Sequence, residues 1–71
     1  MMDRMTFPQY RSQVERGLIR EVGLMWMDQH RTEDDVQLGL WYAGEVSVSD
    51  AVRMMTGTLV DRAEQTLAAQ G

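Results

Sequence analysis

From Val48 onward, apolar side chains return every three or four positions. Val48, Val52, Met55, Leu59 and Ala63 share one side of a helical projection, opposite Asp50, Gly57, Asp61 and Glu64. This pattern predicts a helix over 48–69 with a single buried face. A second stripe, Phe7, Tyr10, Val14, Leu18, Val22 and Met25, predicts a helix over 7–30. Its second half, LIREVGLMWM, adds Ile19, Trp26, Leu24 and Met27 and is apolar almost all round. Between the two, a shorter helix over 33–43 has apolar residues on both sides. Val36, Leu40 and Ala43 share the side assigned here to the core, while Leu38, Trp41 and Tyr42 point away from it.

Local start and stop signals agree with these three helices. TFPQ, TEDD and SVSD each place a hydroxyl residue, Thr6, Thr32 or Ser47, three positions before a side chain able to reach back to the backbone. Pro8 falls in a first turn, where its missing N–H costs little. Met5 and Val46 are placed to staple against Tyr10 and Ala51. Glu33, Asp34, Asp35 and Asp50 lie at helix starts and His30 and Arg31 at a helix end, as the macrodipole favours. Gly44 is the expected left-handed stop of the middle helix. Gly17, Gly23, Gly39 and Gly57 lie inside the proposed helices, where each costs about 0.8 to 1 kcal/mol relative to alanine. Close approach of another helix is expected at Gly23 and Gly39, and a break is the alternative at Gly17.

The expected fold is therefore all-α, a small three-helix unit in one domain. At 71 residues the chain buries only about 60% of its unfolded surface. Chains of this size usually rely on a staple. The absence of cysteine removes disulfides and thiolate zinc sites, which leaves oligomerisation or a partner protein as the simplest completion. The formal net charge is −4, and all seven basic residues are arginine. That balance argues against a DNA-binding face. The start, MMDRMTFPQY, lacks the apolar core of a signal peptide, and no run reaches the length of a membrane span. A soluble cytoplasmic protein is expected.

The inventory for catalysis is short. With one histidine, three serines, no cysteine and no G-x-S-x-G elbow, His30 is the only imidazole that could serve a nucleophile, and its place at a helix end accounts for it. No enzyme activity is expected. His30 and Asp34 have a zinc-like spacing, but a helix start falls between them and no second histidine exists. No metal site or cofactor is expected, and neither glycine-rich phosphate motif is present. GEVSVSD joins two helices in the manner of a helix-turn-helix. A third helix offering Ser49, Asp50, Arg53, Met54 and Gly57 carries one cation against one acid, which suits DNA poorly.

These readings converge on a non-enzymatic interaction protein that self-associates or blocks a partner, as an inhibitor, adaptor or regulator. Its expected contact residues are Trp26, Met27, Leu38, Trp41, Tyr42 and Met54, because aromatics and methionines dominate adaptable interfaces. The alternative is a binder of a nucleotide-like or other small anion, in a pocket between protomers. There Arg16 or Arg20 would grip the charge and Trp41 or Tyr42 would stack on the ring.

Overall fold

The computed structural model describes residues 4–70, so the first three positions of MMDRMTFPQY lie outside it. The chain order is α1 (Phe7–Val22), α2 (Met25–Gln29), α3 (Thr32–Ala43) and α4 (Val48–Gln70), with no strand among the described residues. The all-α expectation holds. Four helices replace the expected three because the first one divides.

Each start has a local cause. Thr6 caps α1 as a full capping box, its hydroxyl accepting from the Gln9 N–H at 3.3 Å while Gln9 Oε1 accepts from the Thr6 N–H at 2.9 Å. Ser47 Oγ accepts from the Asp50 N–H at 3.1 Å at the start of α4. The third signal is shifted by one residue. Arg31, not Thr32, occupies the cap position of α3, and the side chain reaching back to its N–H is Asp34, at 3.0 Å.

The division of the first helix falls at Gly23, neither at Gly17 nor nowhere. Gly23 has φ of +63°, a conformation costly for any residue with a Cβ, and nothing lies within 4 Å of where a Cβ would point. Close approach occurs instead at Gly17, where an added Cβ would stand 2.6 Å from Val52 Cγ2. The expected close approach at Gly39 is likewise absent, its Cβ direction being open. The turn after α3 also departs from expectation. Glu45 N–H donates to the Tyr42 carbonyl at 3.1 Å and Val46 N–H to the Trp41 carbonyl at 2.9 Å, the double bond of a Schellman motif. In that motif the left-handed residue is Glu45, φ +61°, whereas Gly44 has an ordinary φ of −84°.

The core joins all four helices. Tyr10, Val14 and Leu18 of α1 and Ala51, Met55 and Leu59 of α4 recur at four-residue spacing and meet along α1 and the first half of α4. Trp26 closes one end and Leu38 one side. The expected stripe of α4 is rotated slightly, so Val48, Val52 and Ala63 are half-buried flanks while Ala51 reaches the centre. Beyond Ala63, every residue of α4 through Ala69 is exposed. The helix therefore runs past its neighbours.

Candidate functional site

α3 has two apolar faces, but they are assigned opposite to the expectation. Leu38 is fully buried, and Trp41 and Tyr42 are half-buried against the core. Val36 and Leu40, expected inside, are 60% and 62% exposed, and Ala43 is exposed on the same side. Area explains the choice. A leucine and two large rings remove more apolar surface from water than a valine, a leucine and an alanine. Tyr42 is held on three sides. Its ring packs 5.6 Å from Phe7 and 5.3 Å from Tyr10, centroid to centroid, and its hydroxyl donates to the Met5 carbonyl at 2.6 Å. Arg4 lies 4.0 Å over the ring. Leu38, Trp41 and Tyr42 are therefore residues of this chain's own core and its margin.

Trp26 is corrected in the same sense. It is 1% exposed because the bend at Gly23 turns α2 back onto α1 and α4, and its indole N–H donates to Glu15 Oε2 at 3.1 Å. Met27 and Met54 are exposed, in line with their expected place off the core stripes, and Leu24 is exposed beside Met27 on the same turn.

Two polar clusters tie the helices together. In the first, Arg62 of α4 forks onto Asp34, with Nη2 to Oδ1 at 3.0 Å and Nη1 to Oδ2 at 3.1 Å, and Nη1 also donates to the Gln29 carbonyl at 2.9 Å. Asp34 is 3% exposed. Burial pushes its carboxyl up, but the Arg62 fork, the Arg31 N–H and the nearby positive charge outweigh it and hold it below the usual carboxylate range. In the second, Asp35 Oδ1 meets Arg11 Nε at 2.9 Å and His30 Nε2 at 3.0 Å. Its carboxyl too is shifted up by burial and further down by these two partners, with a net lowering. His30 thus pairs with Asp35 rather than with Asp34, and its ring lies tilted against Trp26, 4.6 Å between centroids. No group of three potential metal-ligating side chains occurs among the described residues. No described helix is long and apolar enough to cross a membrane.

Arg16 and Arg20 do share a site, though not with an aromatic ring. Both line a cleft of about 730 Å³ between α1 and α4, together with Arg53, Val52 and Gly17. Tyr42 lines a separate cleft with Arg4 and Tyr10, so the expected pairing of Arg16 or Arg20 with a stacking ring is not formed within one chain. Sequence reasoning treated Arg53 as the lone cation of a helix poorly suited to DNA and missed its position opposite α1. The signal for it was Gly17, whose missing side chain lets α4 come close. No known family model, characterised protein or solved structure matches the chain.

Proposed function

We propose that the chain is a non-enzymatic helical interaction protein that self-associates through the outward face of α3. One observation carries this reading: Val36, Leu40 and Ala43, at helical positions i, i+4 and i+7, form an apolar stripe that no other element covers among the described residues. Large aliphatic side chains aligned on one exposed face favour a second helix over solvent.

The occupant that best fits is a second copy of α3. In an antiparallel pair about a two-fold axis, Leu40 meets Leu40 of the other copy and Val36 meets Ala43, so large faces small on both sides. Gly39 borders the stripe with open space over its Cβ direction, which lets the partner backbone approach. A chain this small, with no disulfide, also gains the additional apolar burial it needs for stability.

The test is sedimentation in the tens of micromolar range. The unaltered chain is expected to run at twice 8.2 kDa, and the Val36→Glu/Leu40→Glu double variant at 8.2 kDa with its helical circular dichroism intact. A native chain that stays at 8.2 kDa across that range overturns the proposal. Leu38→Ala, on the opposite face, serves as contrast, since it should lose about 2 to 5 kcal/mol of folding stability.

A further inference from the structure

The cleft between α1 and α4 stands apart from the α3 stripe and has a different chemistry. Arg16 and Arg20 project into it one turn apart from α1, and Arg53 faces them from α4. Like charges at i and i+4 repel mildly, and neither Arg16 nor Arg20 makes an ion pair among the described residues. Among the described residues Arg53 pairs with Asp50, at 2.7 Å, which does not line the cleft, and most of the Arg53 side chain is exposed. In a chain of net charge −4, three guanidinium groups around one cleft are a local reversal of sign.

The walls add donors. Val48 and Ser49, the first turn of α4, form part of the lining. Their N–H groups precede the first intrahelical acceptor, and the positive end of a 23-residue helix dipole lies there. Ser49 and Gln13 supply further polar side chains. One acidic side chain, Glu21, also lines the cleft. Gly17 makes the arrangement possible, because a Cβ there would push Val52 and α4 away from α1.

We propose that this cleft binds a small molecule carrying a phosphate or diphosphate group. Planar guanidinium forks from two helices match phosphate oxygens in pairs, and one doubly charged anion relieves the Arg16–Arg20 repulsion. A volume of about 730 Å³ falls in the usual range of small-molecule sites. An extended nucleic-acid backbone fits less well, since the cationic region ends at this one cleft and the chain as a whole is acidic.

Titration of the isotope-labelled full chain with inorganic pyrophosphate, against sodium chloride at equal ionic strength, tests the site by amide chemical shifts. Saturating shifts confined to the Arg16 to Arg20 turn and to Val48 through Arg53 are expected. Arg16→Gln, Arg20→Gln and Arg53→Gln should each weaken binding by about tenfold or more. All three side chains are at the surface, so circular dichroism should show the fold unchanged. Shifts that rise linearly and match those of sodium chloride overturn the proposal, as do saturating shifts that survive all three substitutions. Binding of a single-stranded oligonucleotide with no response to pyrophosphate overturns it equally. Running the titration on the Val36→Glu/Leu40→Glu variant separates this result from the self-association reading.

Discussion

At Gly17 a methyl group would lie 2.6 Å from Val52 Cγ2, whereas at Gly39 and Gly57 it would meet nothing within 4 Å. Valine has little freedom at χ1 to move aside. Gly17→Ala is therefore expected to lose stability, because overpacking of about 1 to 3 kcal/mol exceeds the roughly 1 kcal/mol gain in helix propensity. Gly57→Ala should gain about 0.5 to 1 kcal/mol, read as a shift in urea midpoint, whereas a methyl group at Gly39 would stand where the partner α3 approaches and should weaken self-association. The sequence marked all these glycines as costly without showing which one touches a neighbour, since that depends on the rotation of α1 against α4. Asp34 is the second residue whose role lay beyond local pattern. Its partner Arg62 is 28 positions away, and a lone carboxylate in a first turn reads as a dipole contact with solvent. Because the Asp34 and Asp35 carboxyls are held below their usual range when folded, their contribution to stability is full at neutral pH. It is lost as pH falls from about 4 through the folded-state values. Urea midpoints from pH 7 to pH 2 should drop over that interval. Asp34→Asn should begin lower by about 3 to 5 kcal/mol, if enough fold remains to measure, and show a shallower acid loss.

At the level of elements, capping chemistry made the starts of α1 and α4 legible and that of α3 to within one residue, whereas the split of the first helix at Gly23, set by backbone conformation, was misplaced. Thr6 and Ser47 mark the starts of α1 and α4 as expected. α3 ends at Ala43 as expected, but its left-handed residue is displaced by one, because the Schellman bonds fall to Glu45 and Val46 and leave Gly44 just short of that position. Holding a glutamate there costs about 1 to 2 kcal/mol relative to glycine. Glu45→Gly should recover up to about 1 kcal/mol after the added chain entropy is deducted, with a matching rise in melting temperature. The faces of α3 were legible as two apolar sides. Their assignment failed because giving Val36, Leu40 and Ala43 the core-facing side left Leu38, Trp41 and Tyr42 outside, the reverse of their burial. Weighing ring area rather than residue count points the right way, towards Trp41 and Tyr42 packed inside. With that reversal, the candidate contact surface moves from the aromatics to Val36 and Leu40.

The whole molecule is longer than its residue number implies. Its radius of gyration is 13.1 Å, against about 11 Å for a compact chain of this size, and its extents are 54 × 21 × 17 Å. The excess comes from the end of α4, where Glu64 through Ala69 are exposed and Leu67 has no burial partner in the core. A chain ending at Ala63 should therefore keep its near-native urea midpoint, within about 0.5 kcal/mol, while losing helical signal in proportion to the residues removed. This overhang also has a kinetic meaning. Amide protons beyond Ala63 are protected only by helix hydrogen bonds that open locally, whereas those near Met55 and Leu59 open only when the four helices separate. One continuous helix thus spans the full range from local opening to global unfolding, and hydrogen exchange read residue by residue along α4 would locate the edge of the cooperative unit.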